Sequence, residues 1–244
     1  MLRCLPICLC LLAGSAFADG VSGEVALNAA HTSGNSDTAN LGLGLQLDFA
    51  TGDWEQELRS NVELGREDGE TTQQLIRITY GIEHDVGGRW YGFANTEYFQ
   101  DEIGAFKYGL FTGGGVGYRV ALRPPLHWEI EAGPGYRRQK TRNAFGDASG
   151  VGSRIESELA VRVHNDLEWD VNDRVSAYNY SEVIHSSADT YLWNETGVTA
   201  ELFGGLAMRT SFRVDHHTDV PLGRGRTDTI ARFGLVYDLG TPEP

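Results

Sequence analysis

Between Arg154 and Asp170 the side chains sort by parity. Ile155, Leu159, Val161, Val163, Leu167 and Trp169 are apolar, whereas Arg154, Glu156, Glu158, Arg162, His164, Asp166 and Glu168 are ionisable. A period of two is that of a β-strand with one apolar and one charged face. The run is longer than most strands of soluble domains, and it suits a barrel wall between lipid and a wet lumen. The same reading, with Gly, Pro, Asn and Asp as turn markers, predicts about twelve strands. In the first half they fall near 21–32, 38–49, 54–65, 71–85, 89–101 and 107–122, and in the second near 126–138, 152–170, 174–185, 190–203, 206–217 and 228–239. Parity is unreadable in strands five, nine and ten, where only Val175, Ala177 and Val183 of strand nine lean to the lipid set. The expected fold is all-β: a closed antiparallel transmembrane β-barrel of about twelve strands.

The connections alternate in length. Even-numbered ones are tight, as at Thr51-Gly52-Asp53, Val86-Gly87-Gly88, Arg123-Pro124-Pro125, Asn172-Asp173 and Gly204-Gly205. Odd-numbered ones are mostly longer: 33–37, 66–70, 102–106, 139–151, 186–189 and 218–227. Short periplasmic turns and longer external loops are the asymmetry of outer-membrane barrels. Trp54, Trp90, Trp128 and Trp169 stand beside four of the short turns on the lipid parity, and Phe49, Tyr118 and Tyr237 reach the same level. Indole favours the membrane interface, so these seven are expected to form a periplasmic girdle. Tyr98, Tyr108 and Tyr136 would form a sparser outer belt.

Residues 1–18 have one basic residue, Arg3, then an apolar stretch and the small residues Ala16 and Ala18. That layout is expected to be a cleaved export signal, leaving a barrel over 19–244. All three cysteines, Cys4, Cys8 and Cys10, lie within it, so the remaining chain is expected to hold no thiol. With 20 Lys and Arg against 34 Asp and Glu the chain is acidic and would repel nucleic-acid phosphates.

Gly109, Gly113, Gly115, Gly117, Gly133 and Gly135 share the lumen parity of strands six and seven, beside Tyr91, Phe93 and Phe99 of strand five. Sites without a side chain let neighbouring rings lie on the backbone. A phosphate-binding reading of Gly113-Gly114-Gly115-Val116-Gly117 lacks the following helix it needs.

His31-Thr32-Ser33-Gly34-Asn35-Ser36-Asp37-Thr38, Gly115-Val116-Gly117-Tyr118-Arg119 and Gly133-Pro134-Gly135-Tyr136-Arg137 resemble a bacterial domain-of-unknown-function family described as salt-induced outer membrane proteins. The resemblance implies an outer-membrane β-barrel without an agreed activity, and brings no catalytic or ligand-binding residues with it. The segment Gly234-Leu235-Val236-Tyr237-Asp238-Leu239 looks like the assembly signal of such barrels, with Leu239 in place of a terminal aromatic. The implied partners are outer-membrane lipid, lipopolysaccharide, and the barrel-assembly machinery during insertion.

Parity places Glu24, Asp48, Glu55, Glu57, Glu63, Glu83, Glu97, Glu129, Glu131, Glu156, Glu158 and Asp166 inside, facing Arg59, Arg77, Arg119, Arg137, Arg154, Arg162, Arg209, Arg213 and Arg232. Guanidinium groups bridge carboxylates across strands, so this set is expected to form a charge network that narrows or plugs the lumen, with Arg162 pairing Glu156 or Glu158. The excess of carboxylates would make any surviving path favour cations. The implied role is envelope structure or adaptation, with a passive cation-preferring channel as the alternative. A hydrolase at the outer rim is a third reading: Asp215 and His217 share the inward parity and could form a proton relay, but no nucleophile partners them and Ser149 lacks the required spacing. No catalytic set is expected, and neither a metal nor a cofactor is implied, since adjacent His216 and His217 have no third ligand. Arg137, Arg138, Lys140, Arg142, Arg224 and Arg226 form a basic rim suited to lipopolysaccharide phosphates.

Overall fold

A computed structural model of the chain describes residues 20–33, 38–67, 70–142, 154–221 and 223–240. The expected export signal over 1–18, the Gly34–Asp37 loop tip, Ser149, the expected start of strand eight at Gly152 and the last four residues lie outside them. Twelve strands are present: β1 (Gly20–Ser33), β2 (Thr38–Thr51), β3 (Trp54–Glu67), β4 (Glu70–Gly87), β5 (Trp90–Asp101), β6 (Phe106–Arg123), β7 (Leu126–Thr141), β8 (Ile155–Asn172), β9 (Val175–Ser186), β10 (Thr190–Phe203), β11 (Leu206–His217) and β12 (Thr227–Asp238). Each pairs antiparallel with its sequence neighbours, and β1 pairs with β12 from Glu24 opposite Asp238 to Ser33 opposite Thr229, which closes the barrel. Closure leaves no edge strand, the condition for burying a sheet in lipid.

The two ends differ as the turn residues dictate. At one end every connection is two residues long: 52–53, 88–89, 124–125, 173–174 and 204–205. Gly52, Gly88, Gly204 and Gly205 take positive φ there, which tight hairpins require. The other end carries the longer loops, except that β3 ends at Glu67 and β4 resumes at Glu70, a shorter link than Arg66–Glu70. β7 runs to Thr141 rather than Arg138, because Thr141 N–H donates to Arg154 O (2.9 Å) and Arg142 N–H to Ala105 O (2.8 Å), extending the ladders on both sides. These ends are called the turn end and the loop end below.

Alternation decides what each strand shows to the outside. Ile155, Leu159, Val161 and Val163 of β8 are exposed on the outer wall while Ala160 and Arg162 between them are buried. Around the turn end Trp54, Trp90, Trp169 and Tyr237 are exposed, Trp54 stacks on His84 (4.3 Å) and Trp90 meets Tyr118 edge-on (4.8 Å). Trp128 lies at the same level, its Nε1 donating to Asn165 Oδ1 at 2.8 Å. Phe49 stands beside the first turn on the outward parity of Leu41 and Leu43, and also borders the mouth of the lumen.

One stretch of outer wall departs from the apolar rule. Asn165 of β8, Asn179 and Ser181 of β9, and Asn194 and Thr196 of β10 alternate with inward residues, so their side chains face out. They bond to one another: Asn179 Nδ2 to Thr196 Oγ1 (2.7 Å), Asn194 Nδ2 to Ser181 Oγ (2.7 Å) and Ser181 Oγ to Asn179 Oδ1 (3.1 Å). Mutual bonding lowers the cost of facing polar groups toward lipid.

Val161 is 54% exposed on the outer face, midway along β8. Val161→Arg is expected to destabilise the folded barrel in bilayers by about 2–4 kcal/mol, whereas outward Ser157→Thr near the strand's end should be almost silent. Urea titrations read by heat-modifiable gel mobility would show it, and equal stability of Val161→Arg and wild type would mean that β8 faces the other way.

Candidate functional site: a charged lumen divided by an apolar layer

The inward faces build a repeated unit of four residues. Tyr91 stands directly opposite Gly117, Phe99 opposite Gly109, and Tyr178 opposite Gly197. Each ring lies on its glycine so closely that a Cβ there would come within 2.1, 2.3 and 2.3 Å of ring atoms. A guanidinium covers the other side of each ring: Arg119 over Tyr91 (4.7 Å), Arg77 over Phe99 (5.3 Å) and Arg209 over Tyr178 (5.7 Å). Each guanidinium then meets a carboxylate, Arg119 with Glu129 (3.0 Å), Arg77 with Glu97 (2.6 Å) and Arg209 with Glu24 (2.7 Å from Nη2). Stacking uses the face of the guanidinium and leaves its edge donors free for oxygen.

The other inward arginines follow the same logic. Arg162 lies over Phe93 (5.4 Å) and bonds Glu131 and Glu182, both at 2.5 Å. Arg213 covers Trp193 (4.2 Å) and takes Asp215 at 2.8 Å, and Arg59 covers Tyr180 (5.5 Å) and takes Glu57 at 2.6 Å. Arg232 joins Glu63 (2.6 Å) to Glu195 (3.3 Å). Arg119 also bonds Asp85 and lies within 3.8 Å of Glu55 and Glu83. Arg137 reaches Asp189 (3.0 Å) beyond the end of β9. Asp166 lines the lumen near Tyr180, whose hydroxyl donates to Glu168.

Three expectations need correction. Arg162 pairs with neither Glu156 nor Glu158, because they lie six and four residues back along the same strand, about 20 and 13 Å away, whereas Glu131 and Glu182 come beside it from the neighbouring strands. Glu156 instead takes Arg154 (2.7 Å) and Gln139 (3.0 Å), and Glu158 accepts the Ala188 N–H at 2.8 Å. Arg154 is a rim residue, its side chain 70% exposed. The proposed Asp215–His217 relay is not formed: Asp215 is held by Arg213 and the Tyr191 hydroxyl, while His217 Nδ1 bonds Asp189 Oδ2 at 2.6 Å.

The network encloses a cavity of about 770 Å³ that opens toward the turn end, walled by fourteen carboxylates and six guanidiniums. A second cavity of about 120 Å³ lies toward the loop end, walled by Phe99, Phe106, Arg137, Gln139, Tyr191 and His217 among others. Leu75, Arg77, Glu97, Phe111, Asp215 and Ile230 border both. At this level Phe111 of β6, Ala160 of β8, Ile184 of β9 and Tyr191 of β10 form a buried apolar cluster with Trp193 packed against it. Phe111 was not singled out in the sequence, nor were Glu182, Tyr191, Trp193 and Glu195, which sit on the strands with unreadable parity.

The profile of a protein family of unknown function, DUF481, matches residues 25–239. The chain belongs to this family. No curated protein matches the DUF481 barrel. Among solved structures it is similar to the NanC porin, with 10% identity and a TM-score of 0.58 over 88% of this chain and 100% of that one. It is also similar to the translocator domain of the autotransporter NalP from Neisseria meningitidis, with 16% identity and a TM-score of 0.50 over 93% and 92%. At these identities the likeness establishes the fold, an outer-membrane-type β-barrel.

At its loop end the DUF481 barrel is tied by one acid. Asp189 accepts from His217, from Arg137, from Thr218 Oγ1 (3.1 Å) and from the Asp219 N–H (3.0 Å), joining the β9–β10 loop to the one after β11. Burial works to raise its carboxyl, but the hydrogen bond and charge of His217, the Asp219 N–H and the Arg137 guanidinium outweigh it and hold the group well below the usual carboxylate range. A depressed carboxyl contributes stability above its unfolded pKa and loses it as the pH falls through the folded one. Protection of the Asp219 amide from hydrogen exchange is therefore expected to persist at neutral pH and to fade only in strong acid, whereas Asp189→Asn should weaken it already at pH 7. Equal protection in the variant at pH 7 would rule out the tie.

Arg162→Ala would strand Glu131 and Glu182, both buried beside it. Breaking such a pair costs about 3–5 kcal/mol. Urea titration of the variant should show that loss, and Glu131→Gln combined with Glu182→Gln should recover part of it.

Proposed function

We propose that the barrel is a narrow outer-membrane passage that prefers cations, rather than an enzyme. The observation that carries this reading is the wall of the larger cavity, where fourteen carboxylates face six guanidiniums. All six guanidiniums are engaged with carboxylates, so pairing leaves the wall negative, and a negative wall concentrates cations and repels anions. These bridges run along the wall, and the buried apolar cluster where the two cavities meet keeps any path thin. Among the described residues no Ser, Thr or Cys lines the smaller cavity to serve as a nucleophile beside His217. Outward Arg138 and Lys140 near the loop end support contact with lipopolysaccharide phosphates.

A second reading, envelope structure with the lumen shut, is favoured by the buried apolar cluster that packs where the two cavities meet.

Planar-bilayer recordings distinguish the two. The passage reading expects small, cation-selective openings, well below those of a general porin. Large anion-selective openings would contradict it, and a folded barrel silent under all voltages would favour the shut lumen.

A further inference from the structure

The lumen holds two cavities that meet at a narrow level. The larger cavity is walled by charges. The smaller one holds two buried groups without a hydrogen-bond partner, Arg137 Nη1 and Gln139 Oε1, one donor and one acceptor. A cavity of that size with an orphaned donor and acceptor is a place for water at those two groups. Phe111 borders both cavities, as do Leu75, Ile230 and the charged Arg77, Glu97 and Asp215, and Ile184 and Tyr191 pack with Phe111 on the side of the smaller one; Phe111, Ile184 and Tyr191 are each at least nine-tenths buried. An apolar layer at the point where two cavities meet narrows the way that water and ions must take.

The two aromatic residues of this layer are held differently. Tyr191 is fixed: its hydroxyl donates to Asp215 and accepts from Arg213 Nη2 (3.0 Å), and its ring stacks on His217 (4.6 Å, 19°). Phe111 is held by packing alone. Its ring rests against Gly113 and Gly135, where a Cβ would come within 2.9 and 2.4 Å of its Cζ. Both cavities border it.

We propose that Phe111 is the residue that sets the conductance and size limit of the passage, with Tyr191 as the fixed side of the constriction; this rests on the passage reading above. Charge selectivity and throughput then reside in different places. The carboxylate wall chooses the sign of the ion, and the Phe111 layer decides how much passes.

The test compares wild type, Phe111→Ala and Phe111→Leu in planar bilayers, each first shown to be folded by heat-modifiable mobility. The expected result is a severalfold rise in unit conductance for Phe111→Ala, a smaller rise for Phe111→Leu, and unchanged cation preference in both. A silent wild type with a conducting Phe111→Ala would also support the constriction. A conducting wild type whose folded Phe111 variants conduct equally would overturn the constriction and leave the passage reading standing. Silence in all three would overturn the passage reading itself. If Phe111→Ala does not fold, Phe111→Leu carries the same comparison.

Discussion

The interior of this barrel depends on one interaction: a guanidinium pressed between the face of an aromatic ring and the oxygens of a carboxylate. Placing a bare cation inside a protein costs several kcal/mol, and only good geometry with fully used donors offsets it. The ring covers the broad apolar face of the guanidinium, and the carboxylate meets its edge. An ammonium, compact and strongly hydrated, cannot divide its surface in this way. The composition agrees, with eighteen arginines and two lysines in the whole chain. Around that contact the remaining choices fall into place: a carboxylate for each arginine, from its own strand or from another, and, in three of the units, a glycine under the ring.

Where the chemistry of the two wall faces differs sharply, the sequence is legible. β8 alternates apolar and charged residues almost without exception, and its facing follows from parity alone. β5 is opaque because its inward Tyr91, Phe93 and Phe99 are as apolar as anything it shows to lipid. β9 and β10 are opaque for the opposite reason: Asn179, Ser181, Asn194 and Thr196 place polar groups on the outer face, so both parities look polar. Those strands carry Glu182, Tyr191, Trp193 and Glu195, which is why half of the Arg162 site and most of the apolar layer escaped notice. Trp193 misleads, since the other four tryptophans stand on the outer face at the turn end while this one lies inside, its Nε1 donating to Glu182 at 3.1 Å. Pairing was harder than facing. Parity says which residues point inward but not their height, and only the register across β7, β8 and β9 brings Glu131, Arg162 and Glu182 together.

Charge and apolar packing divide the lumen between them. The ion pairs are strung from strand to strand around the larger cavity and stiffen its wall without filling it. The apolar cluster packs side chains from β6, β8, β9 and β10 against one another inside the barrel. A barrel of twelve strands is wide enough to need such inward contacts if it is not to stand open, yet narrow enough for four or five side chains to make them.

The ring-on-glycine contacts also act on how the wall is assembled. A seam between two strands can in principle slide by two residues without exchanging its inner and outer faces, and parity offers no penalty against that error. Here the slide is penalised. Moving β10 one pair along β9 would set the Tyr178 ring against Glu195 or Thr199 in place of Gly197, and moving β6 along β5 would set Phe99 against Lys107 or Phe111 in place of Gly109. In each case a side chain occupies the space the ring needs. The glycines thereby serve as index marks that let each seam recognise its own alignment.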